Sequence, residues 1–295
     1  MTLPNTLIIG AQKAGTSAVF NWLSQHPDVC GPEHMKDFPF FCEDSKYING
    51  TNWFSKFFEE NKKIVLHGHV NYLYFSKASA ERIKLHLPNV KIICILRDPV
   101  TRAYSAYWQA VKMGYETLDR FEEAITLEKK KLKTDLVDEG HYKFLSENTY
   151  IDHGFYYSQL KQYYKTFKKE NLLVLRFEDL KIDQEVFFNT ILDFLELERR
   201  SVNFNRVNDS GIPKIKSLQR LVVRFSLPRW AKKFIPVKFR LQAIRFIKDR
   251  NVSKTAYPPL DATLRKELYN TYKADISKLE DLTGINFDIW REHGK

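Results

Sequence analysis

Two clusters in this sequence combine residue types and spacings that bind phosphate. The first is GAQKAGTS, residues 10–17. It nearly spells the phosphate loop G-x-x-x-x-G-K-[ST], in which backbone N–H groups wrap a phosphate, the lysine reaches the β and γ phosphates and the hydroxyl holds magnesium. Gly10, Gly15 and Ser17 stand where that pattern wants them, but Thr16 takes the lysine's place and Lys13 comes three residues too early. A helix N-terminus after a glycine loop binds anions through unpaired N–H groups and the helix dipole, so Ala14, Gly15, Thr16 and Ser17 can hold one phosphate without that lysine. Lys13, on the shoulder of the loop, can then reach the oxygen that bridges the phosphate to a leaving group.

The second cluster is LRDPVTRAYSAYW, residues 96–108. Arg97 and Ser105 lie eight residues apart across a strand-to-helix turn with Pro99 at its start, and they supply a fork of donors and a hydroxyl. No carboxylate directly follows an apolar strand as a magnesium ligand would; the residue after 91–96 is Arg97. Two separate monophosphate pockets that need no metal suit a nucleotide with both a 5′ and a 3′ phosphate.

Both clusters sit where strands are expected to end. Residues 7–10, 63–69, 91–96 and 171–180 read as strands, and KIICIL at 91–96 is continuously apolar, as a strand buried on both faces should be. Helices are expected at about Thr16–Gln25, Ala78–Leu87, Val100–Met113, across SQLKQYYKTFKK (158–169) and at 184–195, with two more in the tail from Tyr257. This alternation predicts a P-loop-like α/β fold: a parallel β-sheet flanked by helices on both faces, with ligands at the carboxyl ends of the strands. One domain spanning 1–295 is expected, with 115–150 as a lid or insertion.

At 43% hydrophobic residues over 295 positions, the chain can build a sizeable core, which excludes general disorder. Three cysteines and no apolar run long enough for a leader or a span point to a cytoplasmic, reducing setting. The net charge of +11 is confined to one stretch. Residues 211–250 hold twelve Lys and Arg against the single acid Asp249, a surplus equal to that of the whole chain. With Phe225, Trp230, Phe234, Phe239 and Phe246 between the charges, the stretch reads as a surface for an anionic partner: a polyanionic chain, an acidic membrane or nucleic acid. The plainer alternative is a solvated helical face.

The chain resembles the sulfotransferases that use 3′-phosphoadenosine 5′-phosphosulfate (PAPS), in their bacterial and heparan-sulfate-type branch. GAQKAGTSAVFNWLSQHPDV resembles the family's 5′-phosphosulfate loop and ILRDPVTRAYSAYW its 3′-phosphate motif; GFYYSQLKQYYKTFKKENLLVLRFEDL and the tail from Tyr257 to Trp290 resemble later blocks. The likeness covers most of residues 5–200 and 252–290 and keeps the family's order. It implies that Lys13 covers charge building on the leaving phosphate, that Gly15, Thr16 and Ser17 bind the 5′ phosphate, and that Arg97 and Ser105 bind the 3′ phosphate, leaving adenosine 3′,5′-bisphosphate as product and requiring no metal. The family's E-x-H-F-F pattern falls on Asp37 to Phe41, where Asp37 replaces the Glu and Pro39 the His; Asp37 is then the general base, with His67 and His69 in reserve. Lys214 and Lys216 lie where the branch carries a basic glycine loop.

The implied acceptor is a hydroxyl or amine on a carbohydrate or other hydroxyl compound. An anionic acceptor or a peripheral membrane contact falls to 211–250, and no nucleic-acid partner is expected. The alternatives are a P-loop small-molecule kinase, which the absent lysine and magnesium carboxylate oppose, and a polyanion- or membrane-binding protein with a degenerate nucleotide loop.

Overall fold

The computed structural model describes residues 2–32, 38–58, 62–132, 148–204, 211–215, 217, 250–253 and 255–292. Asp37 and Lys216 lie outside the described residues, as do 133–147 and most of 211–250. The chain divides into two compact units: residues 1–102, 153–208 and 265–295 form the first, and 103–152 with 209–264 the second. Both the expected lid at 115–150 and the basic stretch therefore fall in the second unit.

The first unit is built on a five-stranded sheet in the order β2-β3-β1-β4-β5. The strands are β1 (Thr6–Gly10), β2 (Val29–Cys30), β3 (Ile64–Gly68), β4 (Lys91–Leu96) and β5 (Leu172–Arg176), all pairing in parallel. The chain grows from β1 to one side through β3 and β2 and to the other through β4 and β5. Strand order thus reverses at β1, which puts the ligand crevice of such a sheet beside β1 and β4. Every residue of β1 is buried, and in β4 only Lys91 is not, matching the unbroken apolar runs that a doubly covered parallel strand requires.

Helices alternate with these strands: α1 (Thr16–Leu23), the short α2 (Asp44–Tyr47) and α3 (Gly50–Phe54), α4 (Asn71–Tyr74), α5 (Ser76–His86) and α6 (Pro99–Met113), which passes into the second unit after Arg102. The second unit adds α7 (Phe121–Lys131), and the first resumes with α8 (Tyr156–Thr166), α9 (Phe177–Ile182) and α10 (Gln184–Phe194). The tail forms α11 (Ala262–Thr283) and α12 (Asp288–Glu292), the two helices expected there. Trp22 of α1 packs edge-on against Phe188 of α10, and Tyr163 of α8 donates to the Tyr72 carbonyl of α4 at 2.8 Å.

One expected element is corrected. Residues 171–180 do not form one buried strand: β5 stops at Arg176, lies at the sheet edge with only Val174 buried, and FEDLKI opens α9. Glu178 is drawn inward there. Its buried carboxylate accepts the Asp98 N–H at 3.1 Å and the Trp290 indole N–H at 2.8 Å, contacts that a continuing strand would not offer.

In the second unit, the buried Glu128 of α7 accepts backbone N–H groups from Tyr150, Ile151 and Asp152, and Glu116 accepts the Tyr150 hydroxyl at 2.6 Å. An antiparallel pair, β6 (Ile212–Pro213) and β7 (Val252–Ser253), joins the two ends of the basic stretch. Asn251 locks it by accepting the Ile215 N–H at 3.0 Å and donating to the Ile215 carbonyl at 2.9 Å.

Candidate active site

The loop between β1 and α1 owes its shape to backbone that only special residues adopt. Gly10 has φ 157° and Gly15 φ 80°, and Lys13 itself is left-handed at φ 67°. A Cβ on Gly10 would come within 2.8 Å of Leu73, and one on Gly15 within 3.0 Å of the Phe177 ring. Glycine is thus required twice, by backbone angle and by space. Gly15 caps α1 without any side-chain acceptor, so the first-turn amides through Thr16 and Ser17 point past the helix end with no side chain from the cap to satisfy them. Ala14 and Thr16 are buried beneath. This geometry fits a phosphate.

Arg97 ties the second cluster to the first. Its Nη1 donates to the Lys13 carbonyl at 3.0 Å, its Nε to Thr101 Oγ1 at 3.2 Å, and its own carbonyl accepts the Tyr156 hydroxyl at 2.9 Å. Nη2 bonds no acceptor among the described residues. The guanidinium lies over the Phe177 ring, 4.9 Å from its centroid. Burial pushes its pKa down, opposed by the nearby Glu178 and Asp98 carboxylates, and arginine starts high enough to stay charged. Asp98 spends its side chain on α6, accepting the Val100 and Thr101 N–H groups at 2.8 and 3.2 Å, with Pro99 at the helix's first position. R-D-P is therefore one device that starts the helix and aims the arginine. Ser105, two turns into α6, is buried and belongs to the second unit.

The structure places the two histidines differently. His67 is 1% exposed in β3, among Phe54, Phe58 and Tyr72, with Nε2 at 3.0 Å from the Tyr72 hydroxyl and 3.1 Å from the Phe38 carbonyl. Burial lowers its pKa to about 3, helped by His69 and opposed by the Phe38 carbonyl. His69 Nδ1 accepts the Asn71 N–H at 3.3 Å and lies 3.7 Å from the Cys42 thiol, and burial lowers its pKa to about 4. Both imidazoles are neutral at pH 7. Phe40 and Phe41, the pair after Asp37, are fully buried in the same aromatic cluster. Lys214 is exposed, and its N–H donates to the Asn251 carbonyl at 2.6 Å.

Sequence reasoning missed Phe177 and Glu178, the residues that back Arg97. The acidic pair Glu178-Asp179 just after an apolar run was the available helix-start signal.

Residues 3–220 match the model of the sulfotransferase domain. The chain is 25% identical over 308 residues to the mouse bifunctional heparan sulfate N-deacetylase/N-sulfotransferase 4, covering 98% of this chain and 31% of that protein. It is 29% identical over 225 residues to the human heparan sulfate glucosamine 3-O-sulfotransferase 3B1, covering 74% of this chain and 53% of the relative. The chain thus spans about a third to a half of the length of these curated relatives. A sulfotransferase crystal structure from Alicyclobacillus acidocaldarius shares the fold, with a TM-score of 0.69 at 24% identity over 99% of this chain and all of that one. With a family match across most of its length and the loop, the arginine and the sheet order in place, this chain belongs to the sulfotransferase-domain family.

Proposed function

We propose that the protein is a PAPS-dependent sulfotransferase that moves the sulfuryl group to a hydroxyl or amine of a carbohydrate acceptor. The observation that carries this reading is the bond from Arg97 Nη1 to the Lys13 carbonyl at 3.0 Å, which holds a phosphate loop lacking its usual lysine against a second phosphate-binding arginine. The amides from Ala14 to Ser17 hold the 5′ phosphate, and Lys13 covers the oxygen where charge builds as the sulfuryl group leaves. Arg97 and Ser105 hold the 3′ phosphate. Asp37 takes the acceptor proton, and preorganised donors do the rest without reorganising during transfer. The names of the two heparan sulfate relatives support a glycan as acceptor.

The test is thermal stabilisation. Adenosine 3′,5′-bisphosphate without magnesium should raise the Tm, and ATP should do so much less. Equal stabilisation by ATP with magnesium would overturn the reading in favour of a kinase. The basic stretch 211–250 steers an anionic acceptor or docks on an acidic membrane. Charge reversal at Arg229, Lys232 and Lys233 should raise the acceptor KM or abolish vesicle binding, with an effect that shrinks as salt rises. A KM flat with both charge and salt, and no vesicle binding by the parent, would return the stretch to ordinary surface.

A further inference from the structure

One ring in the first unit carries two cations. The Arg97 guanidinium lies 4.9 Å from the centroid of Phe177, and Lys181 Nζ lies 5.0 Å from the same centroid. Lys181 stands one turn beyond Phe177 on α9, where a side chain reaches back over the preceding turn. The ring edge packs against Gly15, so the whole group abuts the phosphate loop. The carboxylates of the same helix are engaged elsewhere: Asp179 holds Arg176 through bonds of 2.9 and 2.7 Å, and Glu178 is committed to Asp98 and Trp290. Among the described residues no carboxylate is within ion-pair distance of Lys181. Burial lowers its pKa and the Arg97 charge lowers it further, against the opposing pull of the Glu178 and Asp98 carboxylates, which act on Arg97 as well. An aromatic face attracts each cation, but the two repel one another, and a dianion placed between them removes that repulsion.

We propose that Lys181 is a second cation for the nucleotide's 3′ phosphate, acting with Arg97 around the Phe177 ring and strengthening the preference for 3′-phosphorylated nucleotides. The proposal rests on the assignment of the 3′ phosphate to Arg97. It deepens that assignment by naming a lysine whose charge discriminates one phosphate from two.

The experiment is calorimetry on the full chain at fixed ionic strength, titrating adenosine 3′,5′-bisphosphate and adenosine 5′-monophosphate into the parent, Lys181→Gln, Lys181→Arg and Arg97→Ala. Lys181→Gln should weaken bisphosphate binding by roughly tenfold, as expected for a lost charge-assisted contact, and leave the monophosphate within about twofold. Lys181→Arg should keep most of the discrimination. Lys181 lies on the exposed side of α9 with its side chain only partly covered, and both replacements keep a long polar side chain, so neither change threatens folding. Lys181→Gln losing affinity equally for both nucleotides, or for neither, while Arg97→Ala abolishes the discrimination, would overturn the role of Lys181 alone. A parent protein that binds the two nucleotides equally would overturn the 3′-phosphate pocket and this proposal together.

Discussion

The carboxyl ends of β1 and β4 and the carboxyl end of β3 belong to one sheet, yet they use their polar groups in opposite ways. At β1 and β4 the backbone is bent at Gly10, Lys13 and Gly15, and Arg97 keeps Nη2 unbonded to any described residue. At β3 the imidazoles of His67 and His69 are taken up by Tyr72, the Phe38 carbonyl, Asn71 and Cys42, and aromatic rings close around them. The first arrangement offers donors and positive charge to an anion; the second encloses its imidazoles in the protein, with His67 Nε2 bonded and His67 Nδ1 buried without a partner among the described residues. The turn after β1 exposes backbone amides beside a charge, whereas the turn after β3 brings in rings.

The sharpest test of that contrast is Lys13→Ala. If Lys13 acts on charge that develops only during transfer, kcat should fall by roughly 10² to 10³ while the Kd for adenosine 3′,5′-bisphosphate moves little. An unchanged kcat would strip the loop of its chemical role. Next in size is the base. Asp37→Asn should lower turnover by roughly a hundredfold with nucleotide affinity unaltered, whereas His67→Gln should leave turnover at saturating substrate close to the parent's. The reverse result would make the end of β3 the catalytic one.

Arg97→Ala should act mainly on binding, weakening the bisphosphate by about tenfold or more because a charge-assisted contact is lost, with a smaller change in kcat. A kcat defect without a binding defect would place Arg97 in the reaction rather than in the pocket. The smallest effect is on stability. Both histidines have folded pKa values, about 3 and about 4, below the unfolded value near 6.5, so the unfolded chain takes up protons first. Their contribution is present above about pH 6.5 and is lost as pH falls toward 4. The Tm of the parent should therefore drop more steeply over that window than that of His67→Gln, by roughly a few degrees. Parallel curves would mean that His67 is not held neutral by its cage.

The loop at 10–17 and the turn at 97–99 were legible because each depends on a few adjacent residues: glycines where φ is positive, an Asp-Pro helix start, an arginine at the strand end. The break between β5 and α9 was not. Val174, Leu175 and Phe177 continue an apolar run, and what ends the strand is Glu178 turning inward to Asp98, 80 residues away, and Trp290, 112 away. That break carries Phe177 under Arg97 and Lys181 over the same ring, and its one local signal was the acidic pair Glu178-Asp179 at the helix start.

The histidines show the same division. Sequence alone set them two apart on an expected strand at 63–69, alternating onto one face, with the strand's end expected at the same cleft as the 10–17 loop; the strand itself ends at Gly68. Only the tertiary structure decided that Phe54, Phe58 and Tyr72 surround His67, because burial depends on residues brought from other elements. Apolar continuity, glycine angles and helix caps are short-range properties, and they determined by themselves the parallel sheet, the phosphate loop and the arginine at the end of β4. Which cations gather at one ring and which imidazoles stay neutral follow from desolvation and from partners distant in sequence, and those only the folded chain supplies.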